Sequence, residues 1–276
     1  MHSDQTLPDP DSPREWAWAA LTAAWDGGDY PRVAELAEHW LASHPNDRDF
    51  HLWAADGLGM EREISAAADH LRSLLDADPD DAEVMARLGH LYFRNGDMTG
   101  AQALFDRALA TRDDWADTHY GLGLVAERRR DFVAAERAFT TAHRLDPNGF
   151  PLPVRLTDRE FDRCLQEAID VLPPEFQEEL ESVSILVQDL PDDETMRAVD
   201  PPDPELLGLF TGPSHMDQLS GGPPDLPPTI ILYRRNLERL ANDPHHLMDE
   251  IVTTLYHELG HYLGWDEDEV ERHGLA

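Results

Sequence analysis

The run His257-Glu258-Leu259-Gly260-His261 places two imidazoles and a carboxylate at HExxH spacing. Histidines four apart stand one turn above each other on a helix face, so both rings can reach one metal ion, read here as Zn2+. The glutamate beside the first histidine can then act as general base toward a metal-bound water, which is hydrolytic chemistry. His257 and His261 are therefore the expected metal ligands, and Glu258 the expected catalytic residue.

A helix must position these groups. Residues 247–263 contain no proline and set Leu247, Ile251, Leu255 and Glu258 along one line, with Val252, Tyr256, Leu259 and Leu263 beside it and Thr253, His257 and His261 on the neighbouring line. That is the pattern of a mostly buried helix. Gly264 stands where a left-handed residue would close it. A catalytic zinc takes three protein ligands and leaves the fourth position to water, so a third donor is needed. Fifteen residues follow His261. The expected arrangement is HExxHxxGxx with a ligand six residues after the second histidine, which is Glu267, with Asp266 as the near alternative. Asp268 and Glu269 read as a solvated acidic tail.

The formal net charge is −34, with 22 arginines and no lysine. Such a surface repels phosphate backbones and anionic lipid, so neither nucleic acid nor membrane is an expected partner. The one cysteine, Cys164, reads as a small core residue. The acidic, proline-containing start lacks the pattern of a signal peptide, no stretch reaches transmembrane length, and the expected location is cytoplasmic.

Pro45, Pro79, Asp113 and Pro147 recur every 34 residues, as do the turn acids Asp29, Glu63, Asp97 and Asp131. Gly89 and Gly123, Ala101 and Ala135, Phe105 and Phe139, and Ala108 and Ala142 keep the same step. Four units follow, at 14–47, 48–81, 82–115 and 116–149. With Leu88-Gly89, Leu122-Gly123 and the small and aromatic positions behind them, the pattern resembles the tetratricopeptide repeat. The first two units depart from it: Leu21 and Ala55 replace the glycine, and Trp40 and Leu74 the later alanine. A looser or locally repacked front end is expected. Stacked helix pairs make a groove for a peptide or protein partner, and Arg87, Arg94, Arg128, Arg129 and Arg130 are the donors a carboxylate-bearing partner would need.

From Asn148 the composition changes to a linker. Beyond it the sequence predicts a helix over 158–171 ended by Pro173-Pro174, strands over 183–190, 206–211 and 229–233, and a helix over 235–241. The order of LPPEF, LLGLFTGP, TIILYRRNLERL and HELGHYLGWDEDE resembles the small bacterial zincin-like metallopeptidases sometimes called minimal zincins. That resemblance covers about 158–276. It implies zinc on His257, His261 and Glu267 with Glu258 as general base, although Glu267 replaces the usual Asp and leaves Asp266 in competition. No methionine follows His261, so the Met-turn of larger relatives is absent.

The expected fold class is an α-helical repeat solenoid of four tetratricopeptide-like units followed by a small α+β zincin-like domain. Its limits are a disordered acidic N-terminus at 1–13, repeats at 14–149, a linker at 150–157 and the zincin-like domain at 158–276. The expected function is zinc-dependent hydrolysis of peptide bonds, with the repeats recruiting the substrate or a protein partner. An extended peptide is expected along the edge strand at 229–233 or 206–211, with Tyr233 or Tyr262 as oxyanion helper against a packing role. The alternative is a repeat-based adaptor whose zinc site is structural or inactive, and a third possibility is metal-dependent hydrolysis of something other than a peptide.

Overall fold

A computed structural model describes residues 13–199, 201–215, 227–265 and 269. The chain divides into two compact units, Met1–Leu145 and Asp146–Ala276. Among the described residues no helix is long and apolar enough to cross a membrane.

The described residues of the first unit form four helix pairs: α1 (Pro13–Asp26) with α2 (Tyr30–Leu41), α3 (Arg48–Met60) with α4 (Ile64–Ala77), α5 (Ala82–Arg94) with α6 (Met98–Thr111), and α7 (Ala116–Arg128) with α8 (Phe132–Leu145). The turn within each pair has one design. A left-handed residue at Gly28, Arg62, Gly96 and Arg130 (φ 70°, 58°, 77° and 61°) reverses the chain. The acid that follows begins the next helix, and Asp29, Asp97 and Asp131 accept from the backbone N–H of Arg32, Gly100 and Ala134. This satisfies a donor that the helix start would otherwise leave without a partner. Glu63, one methylene longer, makes no such cap.

The periodic glycines serve close packing. A Cβ on Gly123 would lie 2.5 Å from the ring of Phe139, and one on Gly89 2.7 Å from Phe105. Both rings are buried. The front end is repacked with aromatics: Trp40 stacks on Phe50 at 4.9 Å, over a core of Leu21, Val33, Ala37 and Leu41. Ion pairs repeat as well. Arg14 reaches Asp47 and Asp49, and 34 residues on Arg48 reaches Asp81 and Glu83, each linking one repeat to the next.

The second unit begins its helices with α9 (Asp158–Val171), opened by a reciprocal capping box between Thr157 and Glu160. Then come α10 (Pro174–Leu180), β1 (Ser184–Gln188), α11 (Asp193–Ala198), β2 (Gly208–Thr211), β3 (Thr229–Tyr233), α12 (Arg234–Leu240) and α13 (Pro244–Leu263). Helix α10 was not expected from Pro173-Pro174. A proline at the first helical position needs no partner for a missing N–H, so Pro174 starts a helix rather than only ending one.

The sheet order is β1-β3-β2. Strands β1 and β3 are parallel, with Ser184 opposite Thr229, whereas β2 and β3 are antiparallel, with Gly208 opposite Leu232. Among the described residues strand β3 is therefore central, and 229–233 offers no edge to a peptide, contrary to expectation. The edges are β1 and β2. The core joins Phe161, Cys164 and Ala168 of α9 to Ile230 and Leu232 of β3, Leu237 of α12, and the stripe Leu247, Ile251, Leu255 and Leu259 of α13, whose members are 0 % exposed. Cys164 is buried there as expected, and burial pushes its thiol up.

Residues 154–156 are tied to α12. Glu238 is buried, and its carboxylate accepts from the N–H of Leu156 at 3.1 Å, from Arg234 at 2.8 Å and from Arg155 at 3.3 Å. Its backbone oxygen takes the N–H of Val154. A buried charge is tolerable only with such partners.

Candidate functional site

Helix α13 starts earlier than the apolar pattern showed, because Asp243 accepts from the N–H groups of both His245 and His246 and Pro244 fits the first turn. It ends at Gly264, which is left-handed at φ 91° as expected. The rigid turn between brings His257 and His261 together: their Nε2 atoms are 3.1 Å apart and their rings meet edge to face at 4.8 Å. Two imidazole nitrogens at that separation either share a proton or flank a cation.

Glu258, 6 % exposed, faces the sheet beside them. Its Oε2 accepts from the backbone N–H of Phe210 in β2 at 2.6 Å. That approach needs Gly208, since a Cβ there would lie 2.5 Å from Cγ2 of Thr254 and 3.1 Å from Oε1 of Glu258. A cleft of about 470 Å³ opens at this point, lined by Leu206, Leu207 and Gly208 on one side and Thr254, His257 and Glu258 on another. Asp203 and Glu205 also line it; sequence reasoning did not single them out, as they lie about fifty residues from the motif. Glu205 is paired with Arg239 at 2.8 Å.

Glu267, Asp266 and Asp268 lie outside the described residues. The two tyrosines are both buried. Burial pushes the Tyr233 phenol up, with Thr195 as its hydrogen-bond partner. Tyr262 packs on Phe210 and its hydroxyl is 3.3 Å from Nδ1 of His215. Packing accounts for each.

Residues 180–275 match the family model described as zincin-like metallopeptidase, and residues 60–127 match that of the tetratricopeptide repeat. The chain carries tetratricopeptide repeats followed by a zincin-like domain. Among curated proteins it is similar to a general transcriptional corepressor, ssn6, of Schizosaccharomyces pombe, 29 % identical over 44 % of this chain, and to cellulose synthase operon protein C of Komagataeibacter xylinus, 29 % identical over 42 %. The matched regions span only 11 % and 8 % of those relatives. Among solved structures it is similar to MamA, with 22 % identity over 46 % of this chain and 74 % of that one at a TM-score of 0.40. The MamA of Desulfovibrio magneticus RS-1 gives 21 % identity over 50 % of this chain and 77 % of that one at 0.43.

In the repeats ahead of the zincin-like domain, the first helices of the pairs line a groove. It consists of two adjoining depressions of about 300 Å³ and 280 Å³ that share Trp25, Asp56 and Arg87. The arginines expected to await a carboxylate are differently placed. Arg87 is held by both oxygens of Asp56 at 2.6 and 2.7 Å and by Glu83. Arg128 is buried. Arg129 donates to Gln102 and to the carbonyl of Met98, and Arg130 is the left-handed turn residue. Of the five, Arg94 and Arg87 line the groove. Repeats of this kind hold other proteins.

Proposed function

We propose that the chain is a zinc-dependent peptidase whose repeats recruit the substrate or a protein partner. The observation that carries this is the convergence of His257 and His261 beside Glu258. Two nitrogens bound to one tetrahedral zinc at about 2.0–2.1 Å stand about 3.3 Å apart, and the 3.1 Å found between the two Nε2 atoms fits that donor set. The third ligand would be Glu267, with Asp266 as its rival. When bound, zinc lowers the pKa of a coordinated water toward ~7 and polarises a carbonyl.

The chain's own residues supply the rest. Glu258 takes the proton of the attacking water and returns it to the leaving amine. The Phe210 N–H holds one oxygen of its carboxylate, which helps to orient the base before substrate arrives. An extended peptide would lie along β2, which borders the cleft and is an edge of the sheet. Metal content together with unbiased peptide-library cleavage, for wild type and Glu258→Gln, tests the reading. One zinc per chain and cleavage by wild type alone is the expected result. Bound zinc with four protein donors and no cleavage would make the chain an adaptor instead.

A further inference from the structure

Four of the chain's tryptophans line the repeat groove. Trp18, Trp25 and Trp53 meet edge to face at one end, with ring centroids 5.7 Å apart for Trp18 and Trp53 and 5.6 Å for Trp25 and Trp53, and with interplanar angles of 82° and 70°. Their perpendicular planes form walls rather than a stack, and Trp18 remains 39 % exposed. Trp115 lines the other depression.

The charged lining comprises four carboxylates, Asp49, Asp56, Glu83 and Asp117, against the guanidiniums of Arg87 and Arg94. Asp56 is committed to Arg87 through bonds of 2.6 and 2.7 Å, and Glu83 accepts from the same guanidinium at 3.1 Å. Asp49 is bound to Arg14 through Oδ2, and Asp117 to His90 through Oδ1, each at one oxygen of two. A carboxylate has about four acceptor positions, and Glu83 already serves Arg48 and Arg87 at once. Asp49 and Asp117 can likewise take a second donor. The indoles show the matching preference: Arg14 lies 5.7 Å from the Trp18 ring and Arg112 4.0 Å from that of Trp115.

These features select the charge of an occupant. An acidic segment would meet four carboxylates and the field of a chain carrying −34. A purely apolar one would bury the remaining acceptor positions of Asp49 and Asp117 without offering them a donor. A cation gains from both the indole faces and the carboxylates. We propose that the groove docks a basic peptide segment of the partner or substrate, with Arg or Lys side chains lying against the tryptophans and reaching Asp49 at one end and Asp117 at the other. This rests on the reading that the repeats recruit a protein.

The test uses the full chain carrying Glu258→Gln, so that binding is read without cleavage. End-capped decapeptides of alternating Arg and Ser, and of alternating Glu and Ser, are titrated by calorimetry at low and high salt. The Arg peptide should bind, more weakly in high salt. Asp49→Asn and Asp117→Asn should each weaken it about threefold or more, as should Trp18→Ala, while the exposed control Asp76→Asn leaves it unchanged. Thermal melting identifies any variant that fails to fold, and the two Asn variants suffice if Trp18→Ala does. Absence of Arg-peptide binding, or equal weakening by Asp76→Asn, overturns the proposal. Binding of the Glu peptide that Trp18→Ala abolishes would overturn the basic preference yet keep the groove as a docking site. Neither result touches the cleavage assay that tests the peptidase.

Discussion

The backbone N–H of Phe210 donates to Oε2 of Glu258 at 2.6 Å, joining edge strand β2 to the helix that carries the motif. Glutamine keeps an oxygen that can accept this bond but cannot take up a proton. Glu258→Gln should therefore retain fold and metal while hydrolysis falls by roughly 10²–10⁴-fold. Turnover and metal content measured together check it, and undiminished turnover removes Glu258 from the role of base.

The metal set is tested by substitution one ligand at a time. His257→Ala or His261→Ala should abolish stoichiometric zinc, and Glu267→Ala should weaken zinc by more than about tenfold, with a smaller effect for Asp266→Ala. In a chelator competition, the reverse order for the two acids would transfer the third position to Asp266.

Gly208 sets the distance between β2 and α13. Its Cβ would fall 2.5 Å from Cγ2 of Thr254, so Gly208→Ala should cost about 1–3 kcal/mol in denaturant unfolding. Thr254→Ser removes the obstructing methyl and should recover most of that loss. A Gly208→Ala chain as stable as wild type would mean that the strand has room to move.

The connection between the units has a preferred cut. A fragment beginning at 158 loses Leu156 and Arg155 and leaves Glu238, 2 % exposed, with fewer partners. It should be less stable than one beginning at 146 by about 1–3 kcal/mol. The complementary 14–150 fragment should remain helical by circular dichroism, because repeats are stabilised chiefly by their neighbours.

Arg130 sits at φ 61° where Gly28 and Gly96 fill the equivalent turns. Left-handed backbone is costly for a residue with a Cβ, so Arg130→Gly should raise stability by about 0.5–1 kcal/mol despite the added freedom of the unfolded chain. A lower melting temperature in this variant would show that the side chain contributes more than the strain costs.

Period and motif made much of this molecule legible. The 34-residue step located all four helix pairs, and the limits of α9 and β3 agree with the sequence reading to the residue. The failures have physical reasons. Pro174 and Pro244 resemble breakers but serve as first-turn residues, so two helix starts went unseen. The run Thr229-Ile230-Ile231-Leu232-Tyr233 is apolar without alternation, which is a mark of a strand covered on both faces, but such a run does not say which strands pair with it. Arg62 and Arg130 conceal left-handed turns that only register with Gly28 and Gly96 reveals. The bond between Phe210 and Glu258 spans 48 residues, and nothing local announces it.

Leu247, Ile251, Leu255 and Leu259 are packed without exposure along the helix that carries His257, Glu258 and His261. The anchored stripe runs in line with Glu258 and beside the two histidines, so anchor and reagents share one rod. Trimming a methylene from the anchored side lets the rod roll or slide, and a displacement of a few tenths of an ångström is harmless to a hydrophobic contact but not to a proton transfer. Variation in this stripe should therefore be limited by alignment of the reacting groups before it is limited by folding.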